Sequence, residues 1–336
     1  MKHLPFLDLI YEDIERVEAL LRERPPDQHE AIGVAVDQLV GGGGKRIRPA
    51  LVLLSSHLCK ADIDKAIFAA AAAEMLHTAT LIHDDLIDGA LMRRGIQTLS
   101  ARWSHGATVL TGDYIFARSA YLASRCGDIR LMQCLTETLM VICNGEILQM
   151  FNGQRGRNFE TSVSSVESLS RAASRQEYEQ RIYAKTASLI AMSAQTGAIL
   201  ADAEREKTDA LRAYGERLGM AFQIVDDVLD FVADDEVLGK PVGGDLRQGL
   251  VTLPLLLFLE AEPDHPAVRR ALEENPSDEV AREAVRAVAG SSSIEQALEV
   301  ARQHVDQAKA ALSVFSDSSY LTALLDMADF IVRRYF

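Results

Sequence analysis

Cysteine is scarce in this 336-residue chain. Its four copies, Cys59, Cys126, Cys134 and Cys143, form no CxxC pair and have no histidine at zinc-ligand spacing. A disulfide scaffold and a structural zinc site are therefore not expected, and a reduced, cytoplasmic setting is the default reading. Positive charge is short as well: 35 Lys and Arg face 49 Asp and Glu, a formal charge of −14. A nucleic-acid partner, which needs a basic face, is not expected. A small polyanion stays open as a ligand, because a few local cations or metal ions override the global sign. Long apolar runs are missing too. "ALVLLSSHL" and "TLPLLLFLEA" fall short of the ~20 residues of a membrane span, and "MKHLPFLDLIYEDIERVEALL" carries acids where an export signal needs an unbroken apolar stretch. The expectation is a soluble protein without a membrane span.

The period-2 alternation of strands is nowhere sustained, whereas Ala, Leu, Glu, Arg and Met dominate and proline keeps mainly to segment ends. Helices are expected at 5–24, 27–39, 47–60, 63–88, 97–104, 107–126, 128–152, 165–173, 176–201, 204–232, 250–260, 266–272, 278–288, 291–315 and 319–334. "GGGG" (41–44) breaks the chain before "KRIRP", and "NGQRGRNFETSVSS" (152–165) reads as a surface loop. "ADDEVLGKPVGGDLRQG" (233–249) is a long polar loop of the kind that usually carries function. The whole reads as one all-α domain, 1–336, with a more charged and less constrained helical tail after about residue 262.

Two stretches strain that picture. "LIHDDLIDGALMRRG" (81–95) sets Asp84, Asp85 and Asp88 among apolar neighbours, and "QIVDDVLDF" (223–231) repeats the spacing with Asp226, Asp227 and Asp230. Residues four apart share a helix face, so like charges there repel, and partial burial raises the cost. A hard divalent cation resolves the conflict. Mg²⁺ takes oxygen ligands, commonly one or two carboxylates plus substrate phosphates. One DDxxD alone reads best as a solvated acidic helix end. Two copies, each in an apolar helix and each followed by cations (Arg93 and Arg94; Lys240), favour a pair of acidic helix ends gripping a metal-bound diphosphate.

With these residues go "GGKRIRP" (43–49), "EMLHTATLIHDD" (74–85), "GDYIFARS" (112–119), "KTASLI" (185–190), "GMAFQIVDDVLD" (219–230) and "GKPVGGDLRQG" (239–249). In that order they resemble the trans-isoprenyl diphosphate synthases of the polyprenyl synthetase family, most strongly over 35–262. The resemblance implies an all-α bundle of long helices around a deep central cavity, usually a homodimer. It implies that both aspartate motifs hold Mg²⁺ ions, about three with substrate bound. It places Arg93, Lys185 and Lys240 on the allylic diphosphate, and Lys45, Arg48, His77 and Arg94 on the isopentenyl diphosphate. Taken alone, Lys45, Arg46 and Arg48 would read as a solvated basic loop, and His77 as a core or surface histidine. Lying two turns before Asp84, His77 shares its helical side. Gln223, three residues before the second cluster, faces the same site, and Thr186 with Lys185 offers dipoles suited to a cation.

The implied reaction is head-to-tail 1′-4 condensation: an allylic diphosphate ionises, isopentenyl diphosphate attacks, and a proton is lost. Family members with aromatic residues four or five positions before the first aspartate stop at short products. Here those positions hold Thr80 and Ala79, with Leu76, Met75 and Ala72 deeper and Cys143 on a neighbouring helix. A long, membrane-seeking product is expected, geranylgeranyl or beyond and centred on hexa- to decaprenyl; the competing reading is that "AAAAAE" merely permits close helix packing. Two departures stand out: Gln97 replaces the proline usual after "RRGx", and Leu250 replaces a lysine common in short-chain members. A geranylgeranyl diphosphate synthase, a class I terpene cyclase and a non-catalytic subunit of a heteromeric synthase remain as rivals. The second intact DDxxD and "GGKRIRP" disfavour the cyclase, and the six retained aspartates disfavour the non-catalytic subunit.

Overall fold

The computed structural model describes residues 5–26, 28–41, 45–93, 95–154, 175–232, 243–247, 249–272 and 277–333. In chain order the described elements are α1 (Pro5–Asp8), α2 (Tyr11–Arg22), α3 (Glu30–Gly41), α4 (Ile47–Cys59), α5 (Ile63–Ile87), β1 (Met92–Arg93), β2 (Ile96–Gln97), α6 (Leu99–Arg102), α7 (His105–Ser124), α8 (Ile129–Gln154) and α9 (Arg175–Ile182). A π-helical turn, Tyr183–Ala187, leads into α10 (Ser188–Leu200), followed by α11 (Arg205–Val232), α12 (Gly244–Arg247), α13 (Leu253–Ala261), α14 (Pro266–Ala271), α15 (Asp278–Ala289), α16 (Ser293–Ala311), a 3₁₀ turn (Leu312–Val314) and α17 (Ser319–Arg333). The all-α expectation holds. Among the described residues the exception is the antiparallel β1–β2 hairpin, pairing Met92 with Gln97 and Arg93 with Ile96.

The chain forms two compact units that interleave in sequence. One comprises Met1–Leu139, Leu189–Gly215 and Lys309–Met327, and the other Met140–Ser188, Glu216–Ala308 and Ala328–Phe336. In the first, α5 is the central helix. Asp62 caps its start, its carboxylate accepting from the Asp64 and Lys65 amides, and the helix packs mainly on α7 and α4. Ala69–Ala73 are all buried. At Ala72 the two helices come so close that the Ser119 hydroxyl donates to the Ala72 carbonyl at 2.7 Å. Close packing is thus what the small residues do at this depth. By length and composition α5 could cross a membrane, yet 72 % of its most apolar stretch is buried inside the protein. On α10, Gly197 lies directly against α4, where an added Cβ would meet the Ser55 carbonyl carbon and Ser56 nitrogen at 2.3 Å.

In the second unit, Gly145 of α8 touches the π turn, where an added Cβ would meet Ala184 Cβ at 2.4 Å. The Arg181 guanidinium donates to the Val251 carbonyl at 2.6 Å, tying α9 to the segment before α13. The stretch expected to be a loosely constrained tail is packed instead. Val268, Ala281, Val288, Leu298 and Ile331 are buried, as are Leu324 and Met327 in the first unit, where the Tyr214 hydroxyl bonds the Leu324 carbonyl.

Other differences are local. The first expected helix is two, broken at Leu9–Ile10; the 97–104 helix shrinks to α6; and 176–201 is interrupted by the π turn. The expected helix 165–173 lies outside the described residues, as do most of the loops at 152–165 and 233–249.

Candidate active site

Both aspartate clusters sit at the C-terminal ends of helices, where the aligned peptide dipoles already concentrate negative charge. Asp84, Asp85 and Asp88 close α5, and Asp226, Asp227 and Asp230 close α11. Neither helix has a basic residue in its last turn. An acid in that position is electrostatically misplaced unless a cation joins it.

The first cluster ends in a tight reversal. Gly89 takes φ +62°, its amide reaching the Leu86 carbonyl at 3.3 Å and the Ala90 amide reaching that of Asp85 at 2.9 Å. This paired pattern ends a helix and needs a residue that tolerates the left-handed region. The β1–β2 hairpin then carries Arg93 back over the helix end, where its Nε donates to Asp85 Oδ1 at 2.8 Å. Thr98 anchors the hairpin base through its hydroxyl to the Ala90 carbonyl at 2.6 Å. Asp85 is buried, Asp84 half-buried and Asp88 exposed. Burial pushes the Asp85 carboxyl up, Arg93 pulls it back, and Asp88 pushes it up again. Arg94 lies outside the described residues.

Upstream on α5, His77 is half-buried and its carbonyl accepts from the Thr80 hydroxyl at 2.8 Å. Leu76 and Ala79 are buried and Thr80 is half-buried, whereas Cys143 is exposed on α8. In the basic loop, Lys45 is exposed and Arg48 half-buried. Arg46 departs from the solvated-loop reading. It is buried, with φ +51°, and its guanidinium donates to Glu74 on α5 at 2.9 Å, to Glu18 on α2, and to the Val40 carbonyl of α3. The neighbouring Lys45 and Arg48 are thereby tied to the helix that bears His77 and the first aspartates.

The second cluster is the more deeply buried. Asp227 and Asp230 are 3 % and 2 % exposed, and Asp226 is half-buried. Asp227 Oδ2 accepts from the Tyr178 hydroxyl at 2.7 Å and Oδ1 from Gln223 Nε2 at 2.8 Å. The Gln223 oxygen in turn accepts from Thr186 at 2.6 Å. Burial first, then the nearby Asp245, lifts the Asp227 carboxyl from 3.8 to about 7, against the pull of Gln223, Tyr178 and Arg181. Asp230 receives the Asp245 amide at 3.1 Å on Oδ2 and the Gly243 amide at 2.8 Å on its carbonyl. Lys185, in the π turn, pairs with Glu146 Oε1 at 3.0 Å. Lys240 lies outside the described residues.

Sequence reasoning missed Tyr178, Arg181, Glu146 and Asp245. Asp245 stood in the quoted "GGDLRQG", but only its approach to Asp227 gives it a part. Among the described residues no three His, Cys, Asp or Glu side chains form a ready-made metal cage. The donors present suit a hard cation such as Mg²⁺, which takes one or two carboxylates and completes its shell from water and phosphate. A raised, desolvated carboxyl such as Asp227 is also what a cation would relieve.

Comparison with known proteins points the same way. A family model described as Polyprenyl synthetase matches residues 29–288. The chain is 35 % identical to heptaprenyl diphosphate synthase component 2 of Geobacillus stearothermophilus, covering 99 % of each sequence. It is 34 % identical to octaprenyl diphosphate synthase of Escherichia coli (strain K12), over 97 % of each. Its fold is similar to that of a polyprenyl synthase from Caulobacter crescentus CB15 solved with calcium and isoprenyl diphosphate. There the TM-score is 0.89 and the identity 34 %, over 98 % of this chain and 97 % of that one.

Proposed function

The chain belongs to the polyprenyl synthetase family and is a prenyltransferase, and from that premise we propose that it adds isopentenyl diphosphate to an allylic primer such as farnesyl or geranylgeranyl diphosphate, building a long all-trans polyprenyl diphosphate. The observation that carries this reading is the pair of DDxxD clusters at cation-poor helix ends, one of them already held by Arg93. Mg²⁺, bound through Asp84, Asp85, Asp88, Asp226, Asp227 and Asp230, would neutralise the leaving diphosphate.

Arg93, Lys185 and Lys240 bind the allylic diphosphate. The first offers a fork that pairs bidentately with phosphate oxygens, and the lysines offer compact point charges. With Mg²⁺ bound, Asp85 would help hold the cation and the Arg93 fork, paired with Asp85 in this structure, would be available to phosphate. Lys45, Arg48, His77 and Arg94 bind the isopentenyl head group. The allylic C1–O bond breaks with its electron pair leaving on diphosphate. The isopentenyl double bond then attacks the allylic C1, a C–C bond forms, and the resulting cation at the isopentenyl C3 loses a proton from the isopentenyl C2 to the released diphosphate. Thr186, donating to the Gln223 oxygen, and Gln223, donating through its nitrogen to Asp227, present fixed dipoles near the developing cation.

The small side chains Ala79 and Thr80, where short-chain members carry aromatics, favour a product in the hexa- to decaprenyl range over geranylgeranyl. The names of the heptaprenyl and octaprenyl relatives support the same range. Met140, Ile147, Leu148 and Phe151, all more than half exposed along α8, give a second copy an apolar face to cover, so a homodimer is proposed. The word "component" in the Geobacillus relative's name favours a second reading, in which this chain is the catalytic part of a two-component enzyme. None of this chain's four cysteines forms a disulfide, which suits the cytoplasm.

The test is diphosphate release by the purified chain. Release should require Mg²⁺ together with both substrates and stop on chelation. Release from the allylic substrate alone would indicate a cyclase, and activity only after adding another protein would favour the two-component reading.

A further inference from the structure

Lys185 is held by a partner that the reaction chemistry does not call for. Its Nζ lies 3.0 Å from Glu146 Oε1, and the carboxylate is the enclosed member of the pair, 13 % exposed against 36 % for the lysine. Two features fix this meeting. Gly145 leaves α8 in backbone-close contact with Ala184, so Glu146 is delivered to the next residue along. The π turn, Tyr183–Ala187, widens the helix there. Beside Lys185 on the same turn, Thr186 bonds Gln223 and, through it, Asp227. One short segment thus carries a cation leashed to a carboxylate and a hydroxyl tied to the second aspartate motif.

An ammonium has three donors, so pairing with Glu146 does not by itself bar Lys185 from phosphate oxygens. Glu146 therefore need not depart when diphosphate arrives, but it sets a negative charge close to that anion, which weakens binding. Such a brake has a use in repeated elongation. Every addition leaves inorganic diphosphate where the allylic head group was bound, and the next round cannot begin until it goes.

We propose that Glu146 is a positioning residue that acts as the counter-anion of Lys185, weakening the hold on diphosphate so that inorganic diphosphate leaves after each addition. The proposal rests on the reading of Lys185 as an allylic diphosphate ligand.

The test measures competitive inhibition by inorganic diphosphate, with Mg²⁺, on the full-length enzyme and on Glu146→Gln, Glu146→Asp and Lys185→Ala. Glu146→Gln keeps an acceptor for Lys185 and removes only charge. Its inhibition constant and its KM for the allylic diphosphate should both fall roughly tenfold, with KM for isopentenyl diphosphate unchanged. Glu146→Asp, which restores the charge, should stay near wild type, and Lys185→Ala should bind diphosphate more weakly. Glu146→Ala removes the charge without an amide to accommodate and should tighten diphosphate in the same way, which covers a failure of Glu146→Gln to fold. If the Lys185 variant weakens diphosphate while neither neutral Glu146 variant tightens it, the carboxylate is only structural and the proposal falls. If the Lys185 variant changes nothing, the reading of Lys185 itself fails and takes the proposal with it.

Discussion

Replacing Asp227 by asparagine tests whether the second cluster is built for a cation it must bind. In the metal-free protein the carboxyl is raised from 3.8 to about 7, chiefly by burial and then by Asp245. The folded state therefore holds a proton more tightly than the unfolded chain does. Stability from this group is full below pH 3.8, is lost as pH rises towards 7, and is flat above that. At about 1.36 kcal/mol per unit, the ionised carboxylate costs the fold about 4 kcal/mol at pH 8. Asparagine carries no charge but satisfies only one of the two donors, Tyr178 and Gln223, a loss of about 1–2 kcal/mol. The net gain is about 2–3 kcal/mol at pH 8 and close to zero near pH 4.5. For this 336-residue chain, with an unfolding entropy of about 0.7 kcal/mol/K, that raises the Tm by roughly 3–4 °C. The assay is thermal unfolding of chelated wild type and Asp227→Asn across pH 4.5–8. Mg²⁺ with diphosphate should then stabilise wild type more than the variant, while the variant loses prenyltransferase activity. A variant no more stable than wild type at pH 8, or a difference that ignores pH, would refute the reasoning.

Thr80→Tyr should shorten the products by mass spectrometry without unfolding the protein, because Thr80 is half-buried and its hydroxyl donates to the His77 carbonyl of its own helix. Ala79, 3 % exposed, would instead be overpacked by Tyr, at about 1–3 kcal/mol. Arg46→Met should cost about 3–5 kcal/mol, since Glu74 is left buried and unpaired. Adding Glu74→Gln should recover part of that loss in a double-mutant denaturation cycle. Gly197→Ala should cost about 3 kcal/mol or more, because the new methyl meets main-chain atoms of α4 that cannot step aside, and a lowered Tm reads it directly.

What the sequence made legible was whatever repeats along one helix. The expected spans 63–88 and 204–232 end within a residue of α5 and α11, because unbroken runs of good helix formers mark both, and Asp62 caps the first. The aspartate clusters were visible for the same reason: four-residue spacing is itself a statement about one face. The hairpin at Met92–Gln97 was not, since two-residue strands are too short to show alternation. The π turn inserts a residue without altering composition, so 176–201 read as one regular helix. Tyr178 and Glu146 act across 49 and 39 positions of chain, on Asp227 and Lys185 respectively, and no local pattern announces such partners. The C-terminal helices looked loosely held because their outer faces are charged. Their alanine and valine faces are what the packing uses.

The most direct measurement is the size of what the enzyme makes. Purified chain is incubated with Mg²⁺, farnesyl diphosphate and labelled isopentenyl diphosphate, and the dephosphorylated products are sized by chromatography. The account predicts a ladder of all-trans prenols that passes geranylgeraniol and ends between hexa- and decaprenol. Products stopping at geranylgeraniol would contradict the long-chain assignment, and no incorporation of label into any prenol would contradict the account itself.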